Sequence, residues 1–418
     1  MLILYSLALL LVLLVGTPFW LFRMATSGKY REGLGERLGL VPRRLLQGDR
    51  RPVIWVHAVS VGEVLAASRL IEQLSERAVG YRIVISTTTR TGQRLARERF
   101  GAERVFYFPL DFAFAVRAYL RALQPKMLVL METEFWPRML VECRRAGISI
   151  AVVNARISDR SWPRYLRLRF LWRRLLSGTA LVLAQSTLDT ERLEVIGAKN
   201  VRVGGNLKYD IRVAKPAAVT EALRQHIGDA KLLVCGSTLE GEEEMLLGAV
   251  PADCIAVLAP RHPERFEAVA QLLERKGVRW VRRSEWMLAP AALEPGMVFL
   301  LDSIGELASV YSLASLAFVG GSLVAAGGHN PLEPAQFGVP VVMGPHYENF
   351  RTIVEKLRAV DGIRILDEKG LRAGIAALFL HPDEGRAMGE RAHAVFASEA
   401  GATERAVQAL MQLLESKA

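Results

Sequence analysis

The sequence predicts an α/β protein of two Rossmann-like domains, each a parallel sheet covered by helices on both faces. Three observations predict it. Short runs rich in Val and Ile alternate with longer helical patterns from residue 52 onward. Those runs are apolar throughout instead of alternating apolar and polar, as in strands buried on both sides. The pattern also stops once, in the polar, Pro-containing stretch RVAKPAAVT after Asp210 and Ile211, and then restarts. At 418 residues the chain is too long for one ordinary core, which agrees with two domains.

Before the first strand lies Leu2 to Phe22, 21 residues without a charge. About 20 residues of helix cross the hydrocarbon core of a bilayer. Arg23, Lys29, Arg31, Arg37, Arg43 and Arg44 come next, which by the positive-inside tendency places the remainder in the cytoplasm. A cleaved signal peptide would carry a basic leader and a small-residue cleavage site, and neither frames this run. Pro18 also permits a shallow or kinked insertion.

In the first half, strands are expected over 53–58, 81–87, 104–109, 126–132, 149–155, 180–186 and 201–206. In the second half they are expected over 231–237, 254–260, 278–283, 297–303, 316–322 and 339–344. The predicted organisation is an N-terminal anchor over 1–22, a first domain over 23–212 and a second over 213–418, the last helix being free to cross back. Ligands of open parallel sheets bind beyond the carboxyl ends of the strands, so the residues after each strand are the candidates for chemistry, with a cleft expected between the domains.

Composition narrows the partners. Lys and Arg number 54 against 43 Asp and Glu, a formal net charge of +11, which calls for an anionic partner. Cys143, Cys235 and Cys254 are too few and too scattered for a disulfide framework or a zinc site. No His pair at helical ligand spacing and no Asp-x-Asp triplet is present, so neither metal nor cofactor is expected. The segment Trp162 to Leu176 (WPRYLRLRFLWRRLL) interleaves five arginines with aromatic rings. It suits a helix in the headgroup layer or an amphipathic helix packed on a sheet. Such a composition also occurs in nucleic-acid binders, but the hydrophobic N-terminus favours lipid.

The strand ends carry the motifs. His57-Ala-Val-Ser-Val-Gly-Glu63 leads into a helix, and Ser60 with Glu63 has capping-box spacing. Glu63 can equally face the cleft as a general base, and an acid at a helix N-terminus is expected to be ionised at neutral pH. Ser86 to Gly92 offers hydroxyls and amides at a helix start. In Met131-Glu132-Thr133-Glu134-Phe135-Trp136-Pro137, alternation would bring Glu132 and Glu134 to one face if the strand continues, each raising the other's pKa. Asn154-Ala155-Arg156 and Asn206-Leu207-Lys208 each bring one cation to the edge. In the second half, Cys235 to Thr238 precedes Glu240, Glu242, Glu243 and Glu244, acids that complement a helix dipole. Pro260-Arg261-His262 is a proline-stiffened loop. Gly320-Gly321-Ser322 through Gly327-Gly328-His329-Asn330-Pro331-Leu332-Glu333 is the strongest signal. Its glycines allow close approach to a phosphate, Asn330 and Pro331 have N-cap and N1 order, and Glu333 can accept from ribose hydroxyls.

Taken together, HAVSVGE, METEFWP, NARIS, NLKYD, APRHPER, IGE and GGHNPLE, in this order and over nearly the whole chain, resemble the Kdo (3-deoxy-D-manno-octulosonic acid) transferase family. The resemblance implies a GT-B glycosyltransferase that moves Kdo from CMP-Kdo to a lipid A precursor, with inversion, without a metal, on the cytoplasmic face of the inner membrane. It implies Glu63 as the base and Glu132 and Lys208 as polar groups assisting the transition state. It further implies that CMP is held by Pro260 and Arg261, by Ile304, Gly305 and Glu306, and by Asn330, Pro331, Leu332 and Glu333. Family members often have Met at position 304, Ser at 206 and Leu at 135; Ile304 would act through its backbone. The implied partners are CMP-Kdo, the lipid acceptor and an anionic membrane surface, with no nucleic acid. The alternatives are another GT-B sugar-nucleotide enzyme, a different transferase or an epimerase, or a basic membrane-associated RNA- or lipid-binding protein.

Overall fold

A computed structural model describes residues 2–27, 32–210 and 216–416, with side chains in the first segment described over 4–18. Lys29, Arg31 and the 212–215 part of the expected linker lie outside the described residues, as do the side chains of Phe22 and Arg23. The chain divides into two compact units, Met1–Ile211 with Ala400–Ala418, and Arg212–Glu399.

The first unit contains β1 (Val53–His57), β2 (Arg82–Thr87), β3 (Val105–Tyr107), β4 (Pro125–Met131), β5 (Ser149–Ala155), β6 (Leu181–Ala184) and β7 (Val201–Val203). They form one parallel sheet in the order β3-β2-β1-β4-β5-β6-β7. Strand periodicity sorts β1 between two cores: Val53 and Trp55 enter one, Ile54 and Val56 the other. Trp55 is fully buried because its indole N–H finds a partner, Ser86 Oγ at 2.7 Å. The last helix, Ala402–Glu415, buries Ala406, Val407, Leu410 and Leu414 in the second of these cores. Its start is held by Asp210, whose carboxylate accepts the N–H of Gly401 at 2.6 Å and that of Thr403.

The second unit contains β8 (Lys231–Thr238), β9 (Cys254–Pro260), β10 (Arg279–Arg282), β11 (Met297–Leu300), β12 (Leu316–Val319), β13 (Val341–Met343) and β14 (Arg364–Ile365), again all parallel, in the order β10-β11-β9-β8-β12-β13-β14. Each expected apolar run contains a strand. β14 was not expected: it is two residues long at the sheet edge and has no apolar run to announce it.

The N-terminal run forms a helix, Leu2–Ser27. Among the described residues no helix is long and apolar enough to cross a membrane, so the expected membrane helix is not established. Leu4, Leu7, Leu11, Val12, Leu14 and Val15 are exposed, while Tyr5 and Ser6 turn toward the sheet unit. Tyr5 donates its hydroxyl to Asp111 at 2.9 Å, and Arg138 donates to Ser6 Oγ at 2.8 Å. The Arg-rich segment is two helices, Trp162–Arg167 and Arg169–Leu176, broken at Leu168. Trp162, Tyr165 and Trp172 pack on the core and Phe170 stays exposed, so most of its aromatic surface is used internally.

Candidate functional sites at the strand ends

In the first unit the strand order reverses between β1 and β4, the position at which open α/β sheets take ligands. Glu63 lies in the first turn of the helix Val61–Arg77 and is only 8% exposed. Its Oε2 accepts the N–H of Val59 at 2.8 Å and its Oε1 accepts the Ser60 hydroxyl at 3.1 Å. Ser60 makes no cap bond to a helix N–H. The capping box expected from the spacing is therefore not formed: its hydroxyl serves the acid, and the acid reaches past it to Val59. Burial pushes the Glu63 carboxyl up to about 7, reinforced by the charges of Glu132 and Glu134 against the Val59 and Ser60 bonds. The expectation of an ionised Glu63 is sharpened: burial brings its carboxyl close to neutrality, where both forms are present.

Glu132 and Glu134 come together by a turn, not by strand alternation. β4 ends at Met131, and Glu132 has φ 53°, a left-handed conformation costly for a residue with a Cβ. It is held there by its N–H donating to Val153 O at 2.9 Å, and Thr133 O accepts from Phe135 N at 2.8 Å. Burial raises the Glu134 carboxyl, and the charge of Glu132 beside it adds to that. The next helix, Pro137–Arg145, starts on a carboxylate supplied from elsewhere: Asp111 accepts the N–H groups of Arg138 and Met139, both at 2.8 Å. Burial pushes Asp111 up to about 6 despite these bonds.

Lys208 sits half-buried in a short turn, Leu207–Asp210. Asn154, at the end of β5 with φ 61° and 1% exposed, holds that turn by accepting the Leu207 N–H at 3.1 Å, and Asn206 accepts the Lys208 N–H at 3.0 Å. Asn154 thus ties the β5 end to the turn that carries Lys208. His57, by contrast, is core: it stacks on Phe108 at 3.8 Å between ring centroids, and burial pushes it down to about 3. The hydroxyl-rich loop before the helix Arg90–Phe100 is capped by its own Thr89, which accepts the Gly92 N–H at 3.1 Å.

In the second unit the order reverses between β8 and β12. Gly320 ends β12 against β8: a Cβ there would lie 2.5 Å from Ser237 O and 2.7 Å from Thr238 Cα. At Gly320 the close approach is that of backbone to backbone. Gly321 has φ 67°, and a Cβ there would meet the His329 ring at 2.9 Å. The Gly320 and Gly321 carbonyls accept the N–H groups of His329 (3.1 Å) and Gly328 (2.7 Å), so the first glycine pair carries the second.

Asn330 caps the next turn by accepting the Leu332 N–H at 3.1 Å, but the helix there is one turn, Leu332–Ala335. A helix this short has a dipole that supplies little anion affinity. Around this turn stand the side chains of Arg261, His329 and Glu333. Burial pushes Glu333 up to about 7, while Arg261 and a bond to Asn330 pull it down. Burial pushes His329 down to about 4, with Arg261 and His262 adding to it. Pro260 ends β9, and Arg261 donates its N–H to Thr238 O at 3.0 Å. Pro260, Arg261, His329, Asn330 and Glu333 therefore gather beyond β9 and β12. Gly305, with φ 92°, and exposed Ile304 lie in the loop after β11, and Glu306 is pinned by Arg283 at 2.7 Å and by the Ser303 hydroxyl.

The residue that the motifs did not single out is Glu242. Read as one of a run of dipole-complementing acids, it is instead fully buried and accepts four backbone N–H groups. Its neighbour Glu243 binds Thr238 Oγ1 at 2.9 Å and Arg265 at 2.7 Å. Acids in a first turn are so commonly solvated that only the fold separates these two from Glu244, whose partner is exposed Lys276.

Residues 32–211 match the family described as 3-deoxy-D-manno-octulosonic-acid transferase (kdotransferase). The 3-deoxy-D-manno-octulosonic acid transferase of Haemophilus influenzae is 34% identical over 406 residues, covering 93% of each chain. That of Bordetella pertussis is 34% identical over 414 residues, covering 94% of each. Among solved structures, a UDP-GlcNAc 2-epimerase from Neisseria meningitidis matches with a TM-score of 0.56 over 86% of this chain and 100% of its own, at 12% identity, a likeness of fold alone. With two parallel seven-stranded sheets and near-full-length similarity to these transferases, the chain belongs to the Kdo transferase family of glycosyltransferases.

Proposed function

We propose that the protein transfers Kdo from CMP-Kdo to a hydroxyl of a lipid A precursor, inverting the anomeric centre and using no metal. The observation that carries this reading is Glu63, a buried carboxyl brought to about 7 among Glu132 and Glu134 in a chain of the Kdo transferase family. Glu63 takes the acceptor hydroxyl proton as that oxygen attacks the anomeric carbon. The bond from that carbon to the CMP phosphate oxygen breaks, and CMP leaves with the electron pair. A base with a pKa near ambient pH combines adequate ionisation with proton affinity, which is typically worth about 10²–10⁴ in rate. Glu132 and Lys208 assist the transition state. Pro260, Arg261, the Ile304–Glu306 loop and Asn330–Glu333 hold the CMP part, where Arg261 offsets charge on the leaving phosphate.

The same proposal seats the chain on the anionic cytoplasmic face of the inner membrane. The exposed leucines and valines of the first helix, with Phe170 and the arginines around it, support that placement. Incubation with CMP-Kdo and lipid IVA, followed by mass spectrometry of the lipid, tests the reaction. A mass increase matching one or more Kdo units is expected, and an unmodified lipid overturns the reading. Flotation with anionic and neutral vesicles tests the seating, with binding expected to be stronger on the anionic ones.

A further inference from the structure

The end of β12 has the shape of an anion nest. The N–H groups of Gly321, Ser322 and Leu323 point to one side, an arrangement that elsewhere holds phosphates. Here it is filled from within the chain. Oε2 of Glu242 accepts from Gly321 N at 2.7 Å and Leu239 N at 2.9 Å, and Oε1 accepts from Ser322 N and Leu323 N, both at 2.9 Å. The side chain is fully buried and comes from the helix Glu242–Ala249, which lies after β8. Glu242 therefore spans the position where the strand order of this sheet reverses.

The bonds continue outward. Ser322 Oγ donates to Val319 O at 2.6 Å and accepts from Gly344 N at 2.8 Å, and its carbonyl accepts from His346 N at 3.0 Å. The carbonyls of Gly320 and Gly321 hold His329 and Gly328, the residues that lead into Asn330–Glu333. The Glu242 carboxylate is the fixed point of this chain of bonds, since no other side chain among the described residues reaches those N–H groups.

We propose that Glu242 is a positioning residue for donor binding: its carboxylate occupies the Gly321–Leu323 nest as an internal anion and thereby holds the 328–333 loop in its donor-binding shape. The donor phosphate then cannot use this nest and is left to the residues beyond it, Arg261 and the 329–333 loop. This inference rests on the reading of the second unit as the CMP-Kdo site.

The test uses the full-length protein, CMP as the probe, and formate as a detached substitute for the missing carboxylate. Glu242→Ala is expected to weaken CMP binding by at least about tenfold, since charged hydrogen bonds to buried N–H groups are lost. Formate is expected to restore both CMP affinity and melting temperature in Glu242→Ala while leaving the wild type unmoved. Glu242→Gln, which keeps the shape but can accept through one oxygen only, is expected to fall between them and covers the case in which the alanine variant does not fold. In steady state the KM for CMP-Kdo should rise more than kcat falls. Wild-type CMP affinity in both variants, or formate failing to restore a weakened one, overturns the inference. If the wild type itself does not bind CMP, the donor reading fails separately, and the formate response of the melting temperature still decides whether an anion belongs in the nest.

Discussion

The two sheets reverse their strand order at one point each, and a buried carboxylate stands at both, yet the two are used in opposite ways. At the β1–β4 reversal Glu63 has two donors and two acidic neighbours, and burial drives it up to about 7. At the β8–β12 reversal Glu242 has four backbone donors arranged two to each oxygen. A buried carboxylate with both oxygens filled by backbone donors is a structural tie between the segments that supply them. One left with few donors beside like charges is held at a chemical threshold. The difference lies in the number and geometry of donors, not in residue type.

Substitutions at and around the two carboxylates put that contrast to the test. The largest effect is expected from Glu63→Gln, which removes the proton acceptor while keeping the shape. Kdo transfer measured by mass spectrometry should fall by about 10²–10⁴-fold, with CMP titration unchanged. Retained transfer would remove Glu63 from the chemistry.

Next is stability. The folded pKa of Glu63, about 7, exceeds its ordinary 4.5. Its neutral form therefore contributes stability fully below pH 4.5, and that contribution is lost as pH rises through about 7. Glu63→Gln should raise the free energy of unfolding, measured with denaturant, at pH 8 but not at pH 4, by an amount on the order of 1–3 kcal/mol. Glu242→Gln should lower it at both pH values. Equal behaviour of the two variants would erase the distinction.

A smaller effect is expected from Glu134→Gln. Removing one like charge lets Glu63 ionise more easily, so the acid limb of the pH–rate profile should move to lower pH by a few tenths of a unit. A shift to higher pH would show that Glu134 does not act on Glu63 by charge. Smaller still is Tyr5→Phe, which deletes one bond to Asp111. About 0.5–1.5 kcal/mol is expected in denaturant unfolding. The least is expected from Arg77→Ala, whose partner Glu404 is exposed: about 0–1 kcal/mol, screened by salt.

Much of the fold was legible because buried parallel strands must be apolar on both faces, and a run such as VIWVH has no other common use. β14 was illegible for the same reason in reverse: two edge residues bury little and leave no pattern. In the candidate sites, Glu63, Glu132 and Lys208 stood at strand ends, where topology makes chemistry expected. Their protonation and conformation did not follow from that. The left-handed φ of Glu132 and the hold of Asn154 on Leu207 depend on contacts between residues far apart in sequence.

The alternation of strand and helix, the two-sheet organisation and the family were all set at the level of the amino-acid sequence, because they depend on local periodicity and on motifs in order. How many donors each carboxylate has, and which charges stand beside it, was decided only in the folded molecule. Glu63 and Glu242 both open helices after a strand, and local rules read both as helix-terminal acids. Desolvation, and most of the donors to Glu242, come from strands and loops that meet only when the sheet forms. Glu242 finds three of its four donors 79 to 81 residues away, and Glu63 finds its like charges across β1 and β4.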